Sequence, residues 1–196
     1  MASSLVCGCL FASTPLKKEL HDGWKFKQAR LYNWYPATVP GVVHTDLMDN
    51  DMIEDPFYRL NEKGMQWIDK EDWIYETTFE ASPELLNKNN IMLVFEGLDT
   101  YADVYVNEEK VLSSNNMFRE WKIDVKTHLK PGSNQLRVYF HSPIKVDIPK
   151  FDTLKYPVEA GNDQSENGGV FDKKVSVFAR KAGYHYGWDW GPRLVT

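Results

Sequence analysis

Period-two alternation of apolar and polar side chains dominates the chain from Trp73 onward. In Trp73-Ile74-Tyr75-Glu76-Thr77-Thr78-Phe79-Glu80 the aromatics fall on one face and most polar groups on the other, which predicts a half-buried strand. Residues 91–95 form a continuous apolar run, so a strand covered on both faces is expected there. A strand over 101–106 follows, then Asn107-Glu108-Glu109-Lys110 as a hairpin turn and Val111-Leu112 as the return. Residues 118–125 alternate again, with Trp121, Ile123 and Val125 on one side. Pro131-Gly132-Ser133-Asn134 has turn chemistry and 135–140 reads as the strand after it. Residues 175–179 read as the last strand.

Helical signals are few. Ser82-Pro83-Glu84 is an N-cap followed by proline at the first helical position, which predicts one turn through Leu86. Val43 and Leu47 share a helical face. Residues 55–72 and 142–172 lack periodicity and are expected to be long surface loops, where function concentrates. Short strands, closely spaced turns and no βα alternation predict an all-β sandwich. The length and the long crossing loops favour a jelly roll over an immunoglobulin-like arrangement. A doubly wound fold is excluded, because no helices exist to cover a parallel sheet.

Composition narrows the function classes. At 196 residues, with 42% hydrophobic and 26% charged side chains, the chain is an ordinary globular domain rather than a disordered one. Its net charge of −5 leaves no basic footprint for nucleic acid. No apolar run approaches the roughly 20 residues of a membrane-spanning helix. Aromatics reach 14%, including seven Trp, which suits both a β-sandwich and a surface that stacks on sugar rings. Residues 1–19 read as a leader or disordered start. Cys7 and Cys9 within it make neither a favourable disulfide nor a zinc site. With no Asn-x-Ser/Thr sequon, this leans to a bacterial periplasmic or secreted location, with the cytoplasm as the alternative.

Few motifs carry chemistry. His21, His44, His128, His141 and His185 have neither zinc-site spacing nor a neighbouring nucleophile, and are read as surface or structural histidines. Asn107-Glu108 is absorbed by the hairpin turn. Asn61-Glu62 lies in a long loop, where solvation and approach to a ligand are both open. No metal site and no cofactor are implied. The distinctive segment is Arg180-Lys181-Ala182-Gly183-Tyr184-His185-Tyr186-Gly187-Trp188-Asp189-Trp190-Gly191-Pro192-Arg193. An acid between two indoles, framed by glycines, suits a sugar: the rings take its C–H face and the carboxylate its hydroxyls. It equally suits an aromatic core corner in which Asp189 bonds backbone or Arg193.

The ending FARKAGYHYGWDWGPRLVT resembles the segment that closes the N-terminal domain of family 2 glycoside hydrolases of the β-mannosidase type. TVPGVVHTDL, EDPFYRLNE, QWIDKEDWIYETTF, LVFEGLDTYADVYVN and NMFREWKIDV resemble that domain in the same order, so the likeness runs from about Leu20 to Thr196. It implies a galactose-binding-like jelly roll over 20–196 that precedes immunoglobulin-like domains and a catalytic (β/α)8 barrel, both absent here. It also implies closing strands beyond Thr196, hence a truncated domain with an open strand edge. The implied activity is retaining hydrolysis of terminal non-reducing β-D-mannose by two barrel glutamates, so this chain is expected to hold no catalytic residue. Its partners would be a β-mannoside and its own barrel. Carried over position by position, Asp189 binds sugar hydroxyls, Trp188 and Trp190 flank it, and the loop around Asn61 borders the pocket. An autonomous carbohydrate-binding module and a protein-interaction domain are the alternatives.

Overall fold

The computed structural model describes residues 15–156, 158–161, 163–164 and 173–196. Cys7, Cys9 and most of the leader reading lie outside the described residues. The large sheet has six strands in the order β2-β1-β3-β8-β5-β6, every pair antiparallel. These are β1 (Lys25–Gln28), β2 (Tyr35–Pro36), β3 (Trp73–Ala81), β5 (Tyr101–Val106), β6 (Glu109–Asn115) and β8 (Gly132–Phe140). Two more, β4 (Met92–Phe95) and β7 (Trp121–Asp124), form the second sheet. The β3–β8 ladder runs unbroken from Trp73 opposite Phe140 to Ala81 opposite Gly132.

Alternation explains the core. Phe26, Trp73, Tyr75, Val104, Val106, Leu136 and Val138 point inward from the large sheet, and Leu93, Phe95, Trp121 and Ile123 meet them from the small one. Phe26 sits 5.6 Å from Tyr75 and 6.0 Å from Trp73 between ring centroids, so three neighbouring strand positions share one aromatic cluster. The Asn107-Glu108 turn has positive φ at both residues, the geometry of a two-residue hairpin whose twist matches its strands.

Four expectations need correction. Strand β4 is covered on one face only: Leu93 and Phe95 pack inward while Met92 and Val94 are exposed, because no described residue covers the outer side of its two-stranded sheet. The Val125 amide donates to the Ile91 carbonyl, so in this antiparallel register the backbone groups of Leu93 and Phe95 face β7. Those of Met92 and Val94 therefore face the other edge. Second, the segment after Ser142 is not all loop, since α4 (Pro143–Asp152) occupies its start. The Ser142 hydroxyl accepts from the Lys145 amide and Pro143 takes the first helical turn, where its missing donor costs nothing.

Third, residues 175–179 make a turn rather than a strand. Val175 and Phe178, three apart, both pack on a second cluster with Ile144, Tyr186 and Val195, and the Phe178 amide donates to the Val175 carbonyl. Fourth, the loop over 55–72 contains α2 (Asn61–Gly64) and a 3-10 turn at Ile68–Lys70. The expected helical turns appear as α1 (Val43–Asp49) and α3 (Pro83–Leu86), the latter capped by Ser82. No helix among the described residues is long and apolar enough to cross a membrane.

The outer face of the large sheet carries charge. Asp103 on β5 accepts from Ser113 at 2.6 Å, Lys110 at 2.7 Å and His141 at 3.1 Å. Burial alone would push its carboxyl up, but these donors outweigh it and hold the pKa down to about 2, against an ordinary 3.8. A depressed acid stabilises the fold above its unfolded pKa and loses that contribution as pH falls through the folded one. Thermal melts of Asp103→Asn should therefore fall below the unsubstituted chain at pH 5–7, with the gap closing towards pH 2. A gap independent of pH would refute the ionic contribution.

Candidate functional site

Three segments distant in sequence wall a groove of about 620 Å³. One wall is α1 and the residue before it, with Val42, His44, Thr45 and Met48. Pro56 and Phe57 come from the loop before α2. The aromatic tail supplies Tyr184, His185, Trp188, Gly191, Pro192, Leu194 and Thr196.

Each wall is fixed from behind. On α1, Val43 and Leu47 face the core, and Asp46 accepts from the Tyr75 hydroxyl at 2.6 Å and the Thr38 amide at 2.8 Å. Burial pushes the Asp46 carboxyl up, with those two donors acting against it. The Phe57 loop is tied by Asp55, whose side chain accepts from the Phe57 amide and whose carbonyl accepts from the Asn61 side chain at 3.0 Å. In the tail, Gly183–Tyr186 makes one 3-10 turn that buries Tyr186 in the second cluster. Gly187 then adopts φ 125°, a conformation closed to side chains with a Cβ, and turns the chain outward. Trp188 and Gly191 close a tight turn through the Gly191 amide and the Trp188 carbonyl, with Asp189 at its tip at φ 24°. A Cβ on Gly191 would meet that carbonyl at 3.2 Å.

The tip is presented to solvent. Trp188 is 51% exposed and Trp190 90%, and Asp189 between them is exposed too. Among the described residues, no hydrogen bond or ion pair engages the Asp189 side chain. The indoles therefore do not dry the carboxylate in this chain. The core-corner alternative fails on Arg193, whose guanidinium donates to Asp69 at 2.6 Å and Gln66 at 2.8 Å instead.

Of the four residues singled out from sequence, Trp188 lines the groove and Asp189 and Trp190 form the tip beside it. Asn61 does not line it; its side chain shapes the loop that carries Phe57. His44 and His185, read as structural or surface residues, both line the groove. Burial first, then the Lys181 ammonium, holds each imidazole down to about 4, so both are neutral at pH 7. Sequence reasoning also missed Phe57, Val42 and Tyr184. The available signal was exposed apolar residues inside the very stretches that carry the resemblance.

Chemically, the groove offers apolar and aromatic surface, neutral imidazoles and, at its rim, one free carboxylate. No Asp or Glu among the described residues lines it. Among the described residues no group of three or more His, Cys, Asp or Glu could hold a metal ion.

Comparison with known proteins places this geometry. Among solved structures, the β-D-mannosidase of Dictyoglomus thermophilum superposes with a TM-score of 0.81 at 42% identity, over 89% of this chain and 20% of that one. The exo-chitosanase CsxA of Amycolatopsis orientalis, at 21% identity and a TM-score of 0.54, shares the fold alone. Beta-mannosidase B of Aspergillus terreus is 34% identical over 92% of this chain, and the beta-mannosidase of Capra hircus 32% over 97%. The chain spans 21% of the length of each of these two relatives. Residues 24–196 match the family described as the glycosyl hydrolase 2 galactose-binding domain-like family. The chain, a β-sandwich with an aromatic-walled groove, belongs to that family.

Proposed function

We propose that this chain is the sugar-binding accessory domain of an exo-acting β-mannosidase that removes terminal non-reducing β-D-mannose with retention. The observation that carries the reading is the exposed tip: Asp189, whose carboxylate has no partner among the described residues, stands between Trp188 and Trp190 beside a groove that no described Asp or Glu lines. Asp189 accepts hydrogen bonds from the terminal mannose, and Trp188 and Trp190 lie against its apolar C–H face. The acid/base and nucleophile come from a barrel domain, and immunoglobulin-like domains lie between. The names and lengths of the relatives support this division of labour.

Two measurements test it. The chain alone should give no turnover of an aryl β-mannoside, because retaining hydrolysis needs two carboxyl groups about 5 Å apart across the sugar. A chimera in which this chain replaces the matching segment of the Dictyoglomus thermophilum enzyme should hydrolyse that substrate. Saturable, heat-labile turnover by the chain alone overturns the accessory role. A folded chimera without activity counts against the β-mannosidase assignment.

A further inference from the structure

The aromatic segment runs between two buried cations. Before it, the Lys181 side chain is 0% exposed and its ammonium lies 2.5 Å from Asp99, on the connection between β4 and β5. After it, the Arg193 side chain is 2% exposed and its guanidinium meets Asp69 at 2.6 Å, in the loop before β3. Gln66 makes this second foot reciprocal: its amide oxygen accepts from Arg193 and its amide nitrogen donates to the Arg193 carbonyl, both at 2.8 Å. Asp69 is held in turn, its carbonyl accepting from the Ser142 hydroxyl.

The segment is also held by burial of Tyr186 and Val195 in the second cluster, by the Met117 amide donating to the Arg180 carbonyl and by the Gln164 amide donating to the Tyr186 carbonyl. Its only ladder-type contact with another strand, among the described residues, is the single bridge between Asn116 and Arg180. The bonds from Gly187 to Tyr184, Gly191 to Trp188 and Leu194 to His185 stay within it. Burying two cations, one of them against a buried carboxylate, is a costly way to hold a loop that apolar packing of equal volume could hold. What they add is direction, since a guanidinium shared between an amide and a carboxylate accepts one orientation.

We infer that Lys181 and Arg193 are positioning residues, which pin the two feet of the Trp188-Asp189-Trp190 tip and set where its carboxylate stands. The inference rests on the sugar-binding reading of that tip for its purpose, but its geometry is testable without sugar. Burial pulls the Lys181 ammonium down and pushes the Asp69 carboxyl up, each opposed by its partner, so both pairs are under load.

The test neutralises whole pairs in the full chain, so that no buried charge is stranded: Asp99→Asn with Lys181→Met, and Asp69→Asn with Arg193→Met. Amide hydrogen exchange at Gly187, Gly191 and Leu194 is compared with that in β3 and β8, and melting temperature is recorded. Each double variant should keep its sheet protection while the tail amides exchange about ten-fold faster. Unchanged tail exchange in folded variants overturns the inference. Should a double variant fail to fold, Gln66→Ala carries the same test: it removes the reciprocal bonds but leaves the ion pair. Faster exchange at Leu194 then supports positioning and unaltered exchange overturns it. A methyl β-D-mannoside titration of the unsubstituted chain is read separately: absent shifts around Asp189 count against the sugar reading, and exchange still decides the positioning.

Discussion

Replacing Arg193 with alanine is expected to cost about 3–5 kcal/mol of stability, the typical loss when one partner of a buried ion pair is removed. Asp69 would lose its cation while one of its oxygens already has no hydrogen-bond partner among the described residues. Gln66 would lose its donor as well. For a domain of this size the loss corresponds to a melting temperature lower by about 6–20 °C. The deficit should narrow in acid, because a protonated Asp69 is neutral, and burial already raises its pKa. The control is Arg30→Ala, which removes a largely exposed guanidinium from Glu71 and should cost at most about 1 kcal/mol. Equal melting of the two variants would show that the Arg193 pair adds no stability.

The second large effect belongs to Asp189, measured in the active chimera. Asp189→Ala should lower kcat/KM for an aryl β-mannoside by about ten-fold to a few hundred-fold. That range is one charged hydrogen bond, about 1.5–3 kcal/mol, converted to a rate ratio. If the bonds tighten as the ring flattens towards an oxocarbenium-like state, the loss appears in kcat as well as KM. Melting should not change, because the side chain has no partner to lose among the described residues. A variant that melts several degrees lower while keeping its kinetics would mark Asp189 as structural.

Strands β3, β5 and β8 were legible because each is six or more residues long and buries alternate positions against one core. Strand β1 was not, since it has four residues and places Phe26 inward between two lysines. Helix α4 was hidden by its prolines: Pro143 sits where a helix tolerates one, while Pro149 inside it reads as a breaker. At 175–179 a β-rich composition misled, because no strand among the described residues lies beside it to pair. The tip at Asp189 could be found from its motif alone. Its groove could not, because the walls come from residues 42–48, 56–57 and 184–196, and only tertiary packing joins them. The same holds for the ion pair between Asp69 and Arg193, which local pattern does not encode.

The unpaired side of β4 has a kinetic consequence. The other sheet edges are guarded: β2 is two residues long and carries Pro36, β6 opens with Glu109 and Lys110, and β7 carries Lys122 and Asp124. Met92-Leu93-Val94-Phe95 has no charge, no proline and two exposed apolar side chains. A strand tethered to the same polypeptide meets this edge at an effective concentration of order millimolar, whereas a strand from another molecule meets it only at the protein's own concentration. Whatever polypeptide is covalently nearest therefore claims the edge first, and dilution favours that outcome further. The bare side of β4 thus favours a tethered strand when the protein is dilute, and pairing between copies as it is concentrated.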